Sequence, residues 1–163
     1  MFEEGQPLEK RKCPIDGKTV KHCVGCPTCA IMNGFGGAGA FSDGKYNLTN
    51  DFGGTLYEYI GKKQAMELMH YVDAINVSHG GENTKLYSTA NSAFKTRCLQ
   101  CGLHLLDASV RHLGTDINFV VLKNLFAELE PKVDFHFRTP VRQVLAKDGG
   151  YEIVTDNETY TCS

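Results

Sequence analysis

The sequence predicts an α/β fold, on three observations. Apolar residues recur at helical spacing in two long windows, 62–77 and 115–129. After Pro131, short strand-like runs follow one another across tight turns. Between residues 34 and 45 lies a run, Gly34-Phe35-Gly36-Gly37-Ala38-Gly39-Ala40-Phe41-Ser42-Asp43-Gly44-Lys45, in which five of twelve residues are glycine. Glycine loses the most backbone freedom on folding, so this density implies positive φ angles or a close approach to a ligand. Successive bare N–H groups can form an anion-binding concavity, and Lys45 adds a positive charge beside it.

The elements are expected in this order. Residues 1–33 read as loop, charged and then cysteine-rich, with Pro7, Pro14 and Pro27. The glycine-rich run follows, and 46–54 continues as turn. Ala65, Leu68, Met69, Val72 and Ile75 place a helix over 62–77, ended by Gly80-Gly81. A second helix is expected over 89–100, with Ser88 or Thr89 as N-cap and Gly102 just past its end. Residues 103–106 suit a short strand. Ile117, Val121, Leu125 and Leu129 mark a helix from Thr115 to Pro131. Strands are expected at 133–137, 141–145 and 151–154, with Lys147-Asp148-Gly149-Gly150 as a hairpin turn and 158–162 as a further strand.

With 163 residues the chain suffices for one ordinary domain. A net charge of −2 gives no nucleic-acid footprint, and no apolar run reaches membrane-spanning length. The acidic start, Met1-Phe2-Glu3-Glu4-Gly5, is unlike a secretory signal, so a cytoplasmic location is expected. In that compartment seven cysteines point to metal, redox chemistry or buried thiols rather than disulfides. Cys13, Cys23, Cys26 and Cys29 put four thiols within 17 residues. Two-residue spacers let neighbouring sulfurs face one centre, which suits tetrahedral zinc or a [4Fe–4S] cluster. Free thiols and a redox dithiol remain open, and spacing does not separate zinc from iron–sulfur. Cys98 and Cys101 are read as a packed helix face. The glycine-rich run is not a Walker A loop, because Tyr46 stands where Ser or Thr is needed. Gly34-x-Gly36-x-x-Gly39 matches the dinucleotide fingerprint in letters but lacks the preceding strand.

Arg11-Lys12-Cys13-Pro14, Cys23-x-x-Cys26-x-x-Cys29, the run Gly34 to Lys45, and Arg111-His112-Leu113-Gly114-Thr115 together resemble the uncharacterised FAD-dependent dehydrogenases. That family belongs to the glutathione-reductase-like flavoprotein superfamily. The resemblance covers nearly the whole chain. It implies a partial FAD-binding, Rossmann-like domain of glutathione-reductase type, with a helical cap insertion and a small antiparallel β-meander. Residues 1–45 and 111–163 would belong to the FAD-binding domain, and 46–110 would cap the flavin and shape the substrate pocket.

Phe2-Glu3-Glu4-Gly5 then looks like the end of the strand that follows the glycine fingerprint. The fingerprint is accordingly expected upstream of Met1, and further chain beyond Ser163. By position, Glu3 would accept the adenosine ribose hydroxyls, and Val141 would read adenine through its backbone. Gly36, Gly37, Ala38, Gly39, Ser42, Asp43, Gly44 and Lys45 would run beside the pyrophosphate or flavin. Lys45 and His112 are the expected catalytic groups, the imidazole as acid or base. The partners implied are a small-molecule substrate and an electron donor or acceptor, with NAD(P)H one candidate. The alternative is a small four-cysteine zinc or iron–sulfur module without flavin function.

Overall fold

The computed structural model describes residues 1–163, and their contacts divide the chain into two compact units. One comprises Met1–Phe41 with Leu125–Ser163, and the other Ser42–Asn124. The resemblance implies divisions at 45/46 and 110/111. The chain is a mixed α/β protein with three separate sheets. No helix is long and apolar enough to cross a membrane.

In the first unit, strand β1 (Phe2–Glu3) pairs in parallel with β5 (His136–Phe137), Phe2 opposite His136 and Glu3 opposite Phe137. The chain then enters an antiparallel meander of β6 (Val141–Lys147), β7 (Gly150–Thr155) and β8 (Thr159–Cys162). Asp148 and Gly149 make the first turn, between the paired Lys147 and Gly150, within the hairpin turn the sequence predicts. Phe35, Phe126, Phe135 and Phe137 gather into an aromatic cluster with ring centroids 5.0–6.1 Å apart. Leu8, Phe35 and Ala40 are the unit's buried apolar residues. The edge-to-face geometry of Phe35 on Phe126 is a favoured aromatic arrangement.

The second unit holds a three-stranded antiparallel sheet in the order β2 (Lys45–Leu48), β4 (Ser109–His112), β3 (Leu86–Ser88). Its helices are α1 (Leu56–Ile60), α2 (Lys62–Asn76) and α3 (Phe94–Gln100), and α4 (Gly114–Leu129) begins within it. Leu48, Ala65, Leu113 and Val121 form its buried apolar centre. α2 ends in a π-helical turn, Val77–Gly81, where Gly80 takes a left-handed φ of 124°.

Several expectations need correcting. The strand falls at Ser109–His112, not at 103–106, because pairing on both sides, with Lys45–Leu48 and with Leu86–Ser88, selects it. Residues 45–48 are therefore strand rather than turn. α3 starts at Phe94, five residues later than expected. The Thr89 hydroxyl is engaged elsewhere: it donates to the Leu106 carbonyl (2.6 Å) and accepts from the Ala108 N–H (2.9 Å). Asn91 then adopts a left-handed φ of 58°, which a helix cannot include. The expected strand at 133–137 contracts to its last two residues, His136–Phe137. Residues 46–110, expected to be helical, also hold most of the residues of the β2-β4-β3 sheet.

Candidate functional site

The first unit brings three of the sequence-selected residues to one cavity. The parallel pairing of β1 with β5 fixes the register, and further backbone bonds extend it past the strand ends. Arg138 N–H donates to the Gly5 carbonyl at 3.0 Å, and Thr139 N–H to the Glu3 carbonyl at 2.9 Å. The chain then turns at Pro140 and places Val141 beside the end of β1. The Glu3 carboxylate accepts the N–H of Gly5 (2.7 Å) and of Gly34 (2.9 Å), both on Oε1. Neither bond uses Oε2. The cavity beside these groups has a volume of ≈350 Å³, and Glu3, Gly34, Gly37, Thr139 and Val141 line it. Glu3, Gly37 and Val141 come from three distant parts of the sequence.

The glycine-rich run is held in shape by a residue that sequence reasoning did not single out. Arg11 is only 5 % exposed. Its guanidinium donates to four backbone carbonyls: Ala30 (2.9 Å), Ile31 (2.8 Å), Phe35 (2.7 Å) and Gly37 (2.7 Å). It also lies over the Phe41 ring, 4.7 Å from the centroid. Only the planar, five-donor fork of arginine reaches so many acceptors at once. Burial lowers its pKa below the ordinary guanidinium value, with Glu3 and Cys29 opposing that shift. The one sequence signal was an arginine inside the Arg11-Lys12-Cys13-Pro14 block, which the short basic cluster around it obscured.

Gly34 has to be glycine on two counts. Its φ is 118°, and a Cβ would lie 2.5 Å from the Arg11 Cδ and 2.7 Å from the Gln6 carbonyl oxygen. Gly37 has a left-handed φ of 56° but open space where a Cβ would go. Gly39 lies in a short 3₁₀ turn, Ala38–Phe41, again with open space, so no neighbouring atom of the chain dictates glycine there.

Ser42, Asp43, Gly44 and Lys45 lie in the second unit. Gly44 has a φ of 63°, and a Cβ there would stand 2.9 Å from the Gly114 carbonyl oxygen. The Leu113 N–H donates to the Gly44 carbonyl at 2.9 Å. One step along the ladder, Lys45 and His112 are directly opposed across β2 and β4. Next to a hydrogen-bonded pair, this is the non-hydrogen-bonded kind, whose side chains stand closest. The two expected catalytic groups are thus cross-strand neighbours, and both are exposed. Asp43 Oδ2 takes the Lys45 ammonium at 2.6 Å. That hydrogen bond holds the Asp43 carboxyl below its usual pKa, and the charges of Lys45 and His112 add to it. A carboxylate, an ammonium and an imidazole in one exposed group can accept, hold and pass a proton.

Two partly buried polar contacts brace the strands that carry this group. Arg111 on β4 makes a two-pronged pair with Asp73 on α2, at 2.5 and 2.9 Å, and donates to the Thr84 carbonyl at 2.7 Å. Its pKa is raised by the Asp73 hydrogen bonds. Tyr46 on β2 donates its hydroxyl to Asn118 Oδ1 at 2.7 Å, and burial raises the phenol's pKa.

The cysteines are arranged differently. Cys13 and Cys29 are half-buried, Cys23 and Cys26 are exposed, and all four are free. No three side chains among His, Cys, Asp and Glu are grouped closely enough to hold a metal ion. The four thiols sit on an irregular segment that buries almost nothing between Lys12 and Thr28. Asp16 organises part of it, accepting the N–H groups of Lys18, Thr19 and Val20 at 2.8–2.9 Å.

No protein family, no curated protein and no solved structure matches this chain.

Proposed function

We propose that the chain is part of an FAD-dependent oxidoreductase, a dehydrogenase of the glutathione-reductase-like superfamily. It would carry a portion of the Rossmann-like FAD-binding domain and the cap. The observation that supports this best is the ≈350 Å³ cavity that gathers Glu3, Gly37 and Val141. A carboxylate with one oxygen anchored to backbone N–H groups and the other uncommitted suits a ribose diol. Val141 lines the same cavity, where its backbone would meet an adenine edge. The open space at Gly37 and Gly39, where the chain itself needs no room, suits a group lying close against the backbone.

Bound flavin would supply the hydride or electron chemistry, and the protein the orientation and electrostatics. Glu3 binds and orients the adenosine end. Gly36, Gly37, Ala38 and Gly39 present backbone to the cofactor, held in place by Arg11 from behind. Ser42, Asp43 and Gly44 lead into Lys45. Lys45 and His112 hold and move the proton that accompanies oxidation or reduction, with Asp43 fixing the ammonium. Residues 46–110 provide the substrate side, for a small molecule and an electron donor or acceptor such as NAD(P)H. A titration of the chain with FAD, followed by flavin fluorescence, tests the reading. Weak, saturable binding is expected, displaced by adenosine and reduced at least tenfold by Glu3→Gln. Binding that adenosine leaves untouched would count against it.

A second reading, a four-cysteine zinc or iron–sulfur module, is favoured by the exposure of the segment that carries Cys13, Cys23, Cys26 and Cys29. As arranged the thiols do not fit a metal, so this reading requires the segment to close around the ion on binding, as small metal sites do. Stoichiometric metal in anaerobically purified protein, lost in Cys26→Ser, would support it. Its absence would leave the four as free thiols.

A further inference from the structure

The first unit has another cavity, of ≈440 Å³, distinct in chemistry from the one that Glu3 lines. Four charged side chains border it, and three of them are already committed or paired. Arg142 is bound in a two-pronged pair by Asp156, at 2.6 and 2.8 Å. Glu4 accepts a hydrogen bond from the Asn33 side-chain amide. Arg138 has no ion-pair partner. Its backbone is also unusual: φ is 56°, in the left-handed region. That conformation costs a side-chain-bearing residue about 1–2 kcal/mol, and arginine lacks the short polar group by which Asn or Asp lessens the strain. Glycine would fit without strain. Strain of this kind concentrates at sites of function.

We propose that Arg138 anchors a binding site for a phosphate-bearing small polar molecule in this cavity. The planar guanidinium fork matches two phosphate oxygens. Gln6 and Thr28, which also line the cavity, supply neutral amide and hydroxyl partners. Glu4 repels a bare anion but accepts a hydroxyl or amine, so the ligand that fits carries hydrogen-bond donors beside its phosphate. A sugar phosphate has that combination, and inorganic phosphate has only half of it. This site does not depend on the flavin reading.

The test is a titration with ribose 5-phosphate and, separately, inorganic phosphate, followed by backbone-amide NMR. Chemical-shift changes are expected at Gln6, Thr28 and Arg138, with ribose 5-phosphate binding more tightly. Equal binding of the two probes would keep the phosphate site but assign it to free phosphate. Arg138→Gly should lower affinity at least tenfold while the melting temperature holds or rises, because relief of strain offsets the added chain entropy. Arg138→Lys, which keeps charge but loses the fork, should fall between. Unchanged binding in Arg138→Gly, or no shifts in the cavity with either probe, would overturn the proposal. Ribose also offers a diol to Glu3, so the cavities are told apart by residue: shifts at Gly34, Gly37 and Val141 report on the Glu3 cavity, and shifts at Gln6 and Thr28 that Arg138→Gly removes report on this one.

Discussion

At the scale of single residues, the largest energies sit in buried charge. The Asp73 and Arg111 side chains are 10 % and 11 % exposed. Removing one partner of such a pair leaves an uncompensated charge, at a cost of about 3–5 kcal/mol. Asp73→Ala should therefore destabilise by about 3 kcal/mol in denaturant unfolding, since the Thr84 carbonyl still takes one N–H of Arg111. The pair on Lys45 is of the opposite kind. Its side chains are more than half exposed, at 54 % and 57 %, so it adds little to stability. Its signature is in titration. The folded-state pKa of Asp43 is depressed, so whatever the pair contributes is present above the ordinary aspartate pKa and is lost as pH falls through the lowered one. Lys45→Met should move the Asp43 carboxyl titration upward, toward the ordinary value, in carbon-detected NMR. An unmoved midpoint would mean that Lys45 does not hold the carboxyl. Neither pair was legible in the sequence. Asp73 and Arg111 are 38 positions apart, and only the docking of α2 against the sheet joins them.

Elements show where local sequence suffices and where it does not. α2, α4 and the β6-β7-β8 meander follow patterns that act over a few residues: apolar periodicity, a proline stop and an Asp-Gly turn. β4 does not. Ser109-Val110-Arg111-His112 has one β-branched residue, and it becomes a strand because two others flank it. The late start of α3 has the same origin, in a Thr89 hydroxyl drawn off to the 106–108 backbone. The glycine-rich run is an intermediate case. Its composition announces a special backbone, but the residue that shapes it lies 23 positions before Gly34 in the chain. Arg11→Lys keeps the charge yet cannot span four carbonyls, and each buried acceptor left unpaired costs about 1–3 kcal/mol. Faster amide hydrogen exchange is expected across residues 30–41, with the meander of 141–162 unaffected. Uniform loosening of both, or of neither, would show that Arg11 is not the local clamp.

On the scale of the whole molecule, two units divide the sequence-selected residues between them. Glu3, Gly36, Gly37, Ala38, Gly39 and Val141 belong to one, with the four clustered cysteines, and Ser42 to Lys45 and His112 to the other. The α/β class was legible because helices and strands each announced themselves by period. The three-sheet arrangement was not, since β1 and β5 are two residues each and pair across more than 130 positions. The pairing nevertheless brings Glu3 to the cavity that Val141 lines, which is the geometric core of the flavin reading. Its most direct test is a backbone-amide NMR map of the chain titrated with FAD. The account predicts shifts concentrated at Glu3, Gly34, Gly37 and Val141, and their loss in Glu3→Gln. Shifts confined to other parts of the chain, or none at saturating FAD, would contradict it.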